Sequence, residues 1–348
     1  MKQLDGKCID SFKGIGILGV VLVHYGLNTS NELLGGVVAN GARGVQLLFV
    51  VNAFLIFNSL DKIEIIRKES VIVWWKKKFM RLIPMYYLFT FLSVLLRTSN
   101  KYWLGPLPKI SWLNVLCNLL FLHGFYPYYT NSINANWFMG VLGAFYLLAP
   151  FLFKMINSLE KALFALLVVT PIGYLLRHVL LQMNVLAVPG IWNDYVNIIS
   201  FPAELPVILL GILAYYINKE IKKRDGVRNK RQLSYALTLF SLFCMLSLIK
   251  GGEKYFFFFN NIFSFGMLFM IMFIAQLIYP IRPIKNCVFE FVGKHSYGIY
   301  LSHLIIMKYV DGVLEKFRGN PILDVAGYFV ILGLSILIAI IAEKIVKR

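Results

Sequence analysis

The sequence predicts an all-α, polytopic integral membrane protein: a helical bundle of about ten transmembrane helices plus one re-entrant or interfacial segment. Of its 348 residues, 59% are hydrophobic and only 15% are charged, whereas a soluble domain holds about 25% charged residues. Apolar runs recur along the whole chain with basic residues between them. No appended soluble domain or repeat stands out, so residues 1–348 are expected to form a single transmembrane domain, with the first run kept as a signal anchor.

The span count follows from the positions of the apolar runs and of the basic loops. Each run approaches the roughly 20 apolar residues that a transmembrane helix needs. The most basic loops, 61–81 and 219–231, should both be cytoplasmic. Five runs separate them, and an odd number would place them on opposite sides. One run therefore should not cross, and the short, polar segment 112–125 is the best candidate. Ten spans remain, with both termini cytoplasmic. The runs are residues 12–27, 45–60, 84–96, 112–125, 138–156, 163–181, 201–217, 233–249, 256–279, 297–310 and 325–345.

Net charge and cysteine content exclude some functions. The formal charge is +18, but the basic residues flank apolar runs, which favours topology and lipid contacts over nucleic-acid binding. The cysteines at positions 8, 117, 244 and 287 are isolated, so they support neither a metal site nor a disulfide framework. We therefore expect no metal and no nucleic-acid partner.

The first apolar run carries three ionisable side chains, Asp10, Lys13 and His24. Ionisable groups at membrane depth are costly, so they are candidates for function. Lys13 and His24 are eleven residues apart, about 16 Å along nearly the same helix face. A neutral imidazole there suits a general base that takes a proton from a sugar hydroxyl. The alternatives are a structural histidine, and an Asp10–Lys13 pair that only stabilises the start of the helix.

A second group of candidates is the basic pair Lys78 and Arg81, in the text K-K-K-F-M-R-L-I-P. Two cations three residues apart share a face of a helix expected to begin at Pro84 or just before, and they suit the clamping of a diphosphate. The alternative is a simple basic flank of a membrane helix.

Candidate substrate-binding residues are spread along the chain. Arg43 precedes a run with the polar residues Gln46 and Asn52, for which interhelical hydrogen bonding is the alternative role. His123, Asn131 and Trp137 lie in an aromatic, amide-rich stretch that suits a sugar, although an interfacial aromatic belt accounts for it equally well. His303 is a second histidine at membrane depth, with structural hydrogen bonding as its alternative. All of these positions are given by the sequence.

Taken in order, these motifs resemble the membrane acyltransferase-3 family of bacterial enzymes, over almost the whole chain. The first helix is similar to the family's pattern of a basic residue, ten residues and a histidine. G-V-Q-L-L-F-V-V-N-A-F resembles its second helix, K-K-K-F-M-R-L-I-P-M-Y its R-x-x-R-I-x-P-x-Y, and S-Y-G-I-Y-L-S-H its late histidine motif. The resemblance implies that His24 is the catalytic base and that Lys13, Lys78 and Arg81 hold a cytoplasmic acyl-CoA. Asp10, Arg43, His123, Asn131, Trp137 and His303 are then expected to contact substrate.

Three positions depart from the family's pattern. Lys13 and Lys78 replace arginines, which keeps charge but loses bidentate phosphate recognition. Leu142 stands five positions after Trp137, where the family commonly has a glutamate. If that carboxylate orients the histidine in relatives, another group must do so here, or activity is reduced.

The resulting functional hypothesis is an O-acetyltransferase of the bacterial inner membrane. It would transfer an acetyl group from acetyl-CoA, with no permanently bound cofactor, to a cell-surface polysaccharide such as O-antigen or to its lipid-linked precursor. Its partners would be acyl-CoA, the glycan and the lipid bilayer. The alternatives are a lipid-linked oligosaccharide flippase or polymerase, and a non-catalytic relative of the family.

Overall fold

The computed structural model describes residues 6–63, 67–96, 112–125, 136–183, 189–223, 229–250, 261–315 and 320–346. Within these ranges the chain is helical and contains no strand, which confirms the all-α prediction. The α-helices are α1 Gly6–Tyr25, α2 Glu32–Asn40, α3 Gly44–Leu60, α4 Lys68–Leu95, α5 Trp112–Leu119, α6 Trp137–Met155, α7 Leu159–Gln182, α8 Pro189–Asp194, α9 Phe201–Lys223, α10 Lys230–Ile249, α11 Asn261–Ile278, α12 Cys287–Lys294, α13 Ser296–Leu314 and α14 Pro321–Val346.

Seven helical segments in the described ranges are long and apolar enough to cross a bilayer. Helices α1 and α13, of 20 and 19 residues, carry charged side chains and are not among the seven. A shorter apolar helix covers Ile262–Ile278. The protein is thus a multi-pass membrane protein. The seven are Glu32–Leu60, Lys68–Leu95, Trp137–Met155, Leu159–Gln182, Trp192–Lys223, Lys230–Ile249 and Pro321–Val346.

The predicted re-entrant or interfacial segment is a short helix followed by a tight turn. Helix α5 has eight residues, far fewer than the roughly 20 that span a bilayer. Phe121, just after it, has φ 58°, a left-handed conformation that an L-residue rarely adopts, and the 3-10 turn Leu122–Gly124 follows. Phe121 therefore interrupts the helical path between α5 and the turn.

Two segments that lie between apolar runs are partly helical. Helix α4 begins at Lys68, so the expectation of a helix starting near Pro84 is wrong. The start is fixed by Ser70, whose hydroxyl accepts the Arg67 N–H at 2.9 Å, and membrane helices tolerate an interior proline. Residues 28–43, which separate the first two apolar runs, contain α2 and the 3-10 turn Gly41–Arg43. Asn31 caps α2 by accepting the Leu34 N–H at 3.0 Å.

The chain divides into two compact units, with the divisions inside α3 and α9. The first comprises Met1–Phe54 and Leu210–Arg348, and the second comprises Leu55–Leu209. In the first unit, α1 packs on α12, α13 and the Gly41–Arg43 turn, while α13 packs on α14 and α10 on α11. Phe273 makes edge contacts with Phe12 and Phe54, both at 5.1 Å between ring centroids, and forms part of the core.

In the second unit, aromatic side chains hold α4 against α6 and the 112–125 segment. The Trp75 indole N–H donates to the Tyr146 carbonyl of α6 at 2.9 Å. Tyr86 stacks on Phe121 at 4.9 Å between ring centroids, and its hydroxyl donates to the Asn118 carbonyl at 3.2 Å. The short segment is therefore anchored by its main chain to α4.

Candidate functional site

Glycines let neighbouring backbones approach α1 closely. A Cβ on Gly16 would lie 3.0 Å from the Gly44 carbonyl oxygen, and one on Gly19 would lie 2.9 Å from the Gly41 carbonyl oxygen. A Cβ on Gly14 would collide with the Phe289 carbonyl of α12. The pattern G-I-G-I-L-G thus makes α1 the closely packed helix of the first unit, and its polar side chains are held at fixed positions.

His24 lies at the last turn of α1, immediately before the helix ends. Gly26 has φ +68° and its N–H donates to the Leu22 carbonyl at 3.1 Å, which terminates the helix in the left-handed conformation that glycine favours. The His24 ring lies 5.3 Å from the His303 ring between centroids, with a 47° angle between planes. The two histidines that the sequence placed 279 residues apart are neighbours in the fold.

His303 is held in one tautomer by its own helix. Its Nδ1 lies 3.1 Å from the Ile299 carbonyl oxygen, and because a carbonyl only accepts, Nδ1 carries the hydrogen. Nε2 is then an acceptor with a bare lone pair. It is buried and has no hydrogen-bond partner among the described residues. Buried polar atoms are normally satisfied, so an unsatisfied one requires an explanation, and a functional role is one.

Asp10 and Lys13 form the ion pair that was one of the two expectations for them. Lys13 Nζ lies 3.4 Å from Asp10 Oδ1, and the side chains are 26% and 23% exposed. An (i, i+3) pair of this exposure contributes little to stability. Lys13 is therefore accessible to an anion, and binding one would break only the weak contact with Asp10.

Arg43 lies in the 3-10 turn between α2 and α3, on the part of the first unit that packs against α1. Gln46, on the next turn, is 1% exposed. Asn52 donates an amide N–H to the Leu48 carbonyl of its own helix at 2.8 Å, which is a bond within α3 and not the interhelical bond of the alternative reading. Arg43 remains a predicted substrate contact.

Lys78 and Arg81 lie in the second unit, in the first half of α4. Lys78 is partly buried, and its ammonium lies 5.4 Å from the Trp74 ring centroid, a cation–π contact. Arg81, three residues later, is exposed. The two cations lie on one face of a continuous helix, as the spacing predicted.

Among the aromatic and amide candidates, His123 is a buried part of the second unit. It is 0% exposed and its Nε2 lies 2.9 Å from the Asn136 carbonyl oxygen. Burial lowers its pKa to about 4, although hydrogen bonds to main-chain groups act in the opposite direction. Trp137 begins α6 and is partly buried, whereas Asn131 lies outside the described residues.

Leu142, where the resemblance led us to look for a glutamate, is a buried apolar side chain of α6. It is 3% exposed on α6, next to Gly143, whose Cβ would meet the Phe121 side chain at 2.6 Å. An apolar side chain fills this position without leaving a buried charge to satisfy.

Sequence reasoning missed Asp324 at the start of α14. It is 2% exposed, and its Oδ1 accepts the Tyr25 hydroxyl at 2.8 Å while its Oδ2 accepts the Asn28 N–H at 2.8 Å. A lone acid at the start of the last apolar run was the available signal, because buried charges need partners. Asp324 ties α14 to the residue that follows His24.

The fold and these residues define a class: a multi-pass helical membrane protein whose first unit brings together two histidines, one of them fully buried. A family model described as an acyltransferase domain matches residues 7–343. The chain therefore belongs to the acyltransferase-3 family.

Curated relatives carry names in keeping with the family. A peptidoglycan O-acetyltransferase, OatA, of Listeria monocytogenes is 24% identical over 356 residues, which cover 94% of this chain and 54% of the relative. Putative O-acetyltransferases of Staphylococcus aureus strains COL and MSSA476 are 21% identical over 372 residues, covering 100% of this chain and 57% of each relative. The chain thus spans about half the length of the curated relatives it matches. No solved structure matches it.

Proposed function

We propose that the protein is an O-acetyltransferase that moves an acetyl group from acetyl-CoA to a hydroxyl of a cell-surface polysaccharide or its lipid-linked precursor. The observation that carries the proposal is the pairing of His24 with His303, whose Nε2 is a buried, unpartnered acceptor. Hydroxyl acylation requires a group that removes a proton, and a neutral imidazole is the usual one. The peptidoglycan named in one relative favours a cell-wall glycan over O-antigen.

In the proposed reaction, His24 accepts the proton of the sugar hydroxyl as its oxygen attacks the thioester carbonyl carbon. The C–S bond then breaks, and the proton passes from the imidazolium to the departing thiolate. The products are an O-acetyl ester and free coenzyme A, so atoms and charge balance. His303 accepts a hydrogen bond from the His24 imidazolium through Nε2, which stabilises the charge that forms during the attack. This role replaces the substrate contact first predicted for His303.

The donor is proposed to bind through its phosphates to Lys13, Lys78 and Arg81. Lys13 is the one of these on the same helix as His24, eleven residues before it, or about 16 Å at 1.5 Å per residue. The pantetheine arm of coenzyme A is about as long as four or five extended residues, or ~16 Å at ~3.5 Å each. An anion at Lys13 thus leaves the thioester at the depth of His24. Ten spans with cytoplasmic termini in the inner membrane complete the proposal, because the donor is cytoplasmic.

Two experiments test the function. NMR of surface glycan from a strain that lacks the gene should show lost O-acetyl signals, restored by the wild-type chain. Membranes that contain the protein should transfer labelled acetyl from acetyl-CoA to glycan. Glycan movement or chain growth without acetyl consumption would instead indicate a flippase or polymerase. No thioester turnover at a normal protein level would indicate the third alternative, a non-catalytic relative of the family.

A further inference from the structure

A polar cavity of about 390 Å³ lies where the end of α1 meets the start of α14. It is lined by Asn28, Thr29, Ser30, Asn320, Pro321 and Asp324. Five of these six residues carry hydrogen-bonding side chains, and none is basic. Its volume is within the range of small-molecule sites, about 300–1,000 Å³.

The wall of this cavity is fixed by hydrogen bonds. Both carboxylate oxygens of Asp324 are engaged, by the Tyr25 hydroxyl and the Asn28 N–H, each at 2.8 Å. Gly327 makes room for this arrangement, since a Cβ there would collide with the Tyr25 hydroxyl. The carboxylate is therefore part of a rigid wall, which is the pre-organisation that a binding site requires.

The remaining lining groups offer donors toward the cavity. Thr29 Oγ1 accepts the Asn31 N–H at 3.2 Å, and Asn320 Oδ1 accepts the Ile322 N–H at 3.0 Å. These bonds use acceptor oxygens, so the Thr29 hydroxyl hydrogen and the Asn320 amide N–H groups can still donate. The cavity thus combines an anionic acceptor with neutral donors.

We propose that this cavity binds a hydroxyl-bearing sugar unit of the acceptor glycan. The inference deepens the proposed function and rests on it. Sugar hydroxyls both donate and accept, which matches a carboxylate among amides and hydroxyls. The phosphates of coenzyme A are a poor match, because the lining contains a carboxylate and no cation. The Tyr25 hydroxyl donates to Asp324 in the cavity wall. Tyr25 directly follows His24 in the sequence, so the cavity wall is hydrogen-bonded to the neighbour of the proposed base.

The first test fills the cavity. Ser30→Trp should raise the KM for a soluble N-acetylglucosamine tetrasaccharide by about tenfold or more while the KM for acetyl-CoA stays unchanged, since only acceptor binding is blocked. Glu32→Trp is the matched control, because Glu32 is exposed two residues further on and outside the lining. An unchanged acceptor KM in Ser30→Trp, with wild-type transfer intact, overturns the cavity proposal alone. Absence of transfer in the wild type overturns the proposed function instead.

The second test remains informative if Ser30→Trp fails to fold. Ser30→Cys and Glu32→Cys are made in a Cys287→Ser background, since Cys287 is exposed, and are labelled with a charged maleimide. The same tetrasaccharide should slow labelling of Ser30→Cys severalfold and leave Glu32→Cys unaffected. If only a lipid-linked sugar in the same membranes protects, the ligand is the lipid-linked precursor. Equal labelling rates with and without both probes contradict the site.

Discussion

At the residue scale, the structure defines which ring nitrogen carries the proton in His303. His303 donates Nδ1–H to the Ile299 carbonyl and keeps Nε2 as an acceptor, while His24 faces it at 5.3 Å between rings. We therefore assign His24 to the reacting hydroxyl and His303 to the positioning of His24. The distinction has consequences for mutants of each.

His303→Gln should lower acetyl transfer by roughly 10- to 100-fold, because glutamine fills the site without an imidazole acceptor. The pH–rate profile should also shift, which the loss of a purely structural residue would not cause. His295→Gln is the control in the same unit, since His295 pairs with Glu343 at 3.0 Å and contacts neither ring. A wild-type pH profile in His303→Gln would refute the positioning role.

Lys78→Gln should raise the KM for acetyl-CoA by about three- to tenfold with kcat little changed, because one charge-assisted phosphate contact is lost. Lys76→Gln, an exposed lysine two residues earlier on α4, provides the matched control. Steady-state kinetics with varied acetyl-CoA measure both. Equal effects of the two variants would indicate that Lys78 is only a basic residue flanking a membrane helix and does not bind the donor.

At the element scale, α1 depends on the absence of side chains where its neighbours touch it. Gly14→Ala should lower the melting temperature of the detergent-solubilised protein, because its Cβ would collide with the Phe289 backbone. Overpacking of this kind costs about 1–3 kcal/mol. Gly6→Ala is the control, since nothing lies within 4 Å of a Cβ there, and it should leave the melting temperature unchanged. Equal melting temperatures for the two would contradict the packing.

The turn after α5 should make stability depend on pH through His123. Its folded pKa, about 4, lies below the ordinary 6.5, so the unfolded state binds more protons as pH falls. The stabilisation from neutral His123 is full above pH 6.5 and declines between pH 6.5 and 4. Thermal unfolding at pH 7 and pH 5 measures it, and His123→Gln should show a smaller difference. An equal difference in both proteins would assign the pH dependence to other groups.

The sequence predicted that the chain is helical better than it predicted where individual helices begin. Composition and apolar runs predicted the all-helical class. The polar residues of segment 112–125 predicted a re-entrant or interfacial segment, and the structure places the eight-residue helix α5 there. The start of α4 was placed too late, because Pro84 looked like a boundary and the Ser70–Arg67 cap was not recognised. The His24–His303 contact and the Asp324 network connect residues about 280 to 300 positions apart, and no local pattern encodes such pairings.

At the scale of the whole molecule, the two side chains proposed to take part in proton removal, His24 and His303, both belong to the first unit. That unit holds the histidine pair, the Asp10–Lys13 pair and the polar cavity beside Tyr25. The second unit holds Lys78 and Arg81 on α4. The side chains proposed to bind acetyl-CoA therefore differ from those proposed to bind the glycan, and each can be tested by its own substitution.

The central claim is that His24 removes the proton from the acceptor hydroxyl. The most direct measurement is labelled acetyl transfer from acetyl-CoA to glycan by purified wild-type protein and His24→Gln, at matched protein levels and melting temperatures. We expect His24→Gln to lose at least about 100-fold in kcat, the usual scale for a general base, while it still binds acetyl-CoA. Transfer by His24→Gln at the wild-type rate would show that His24 is not the base.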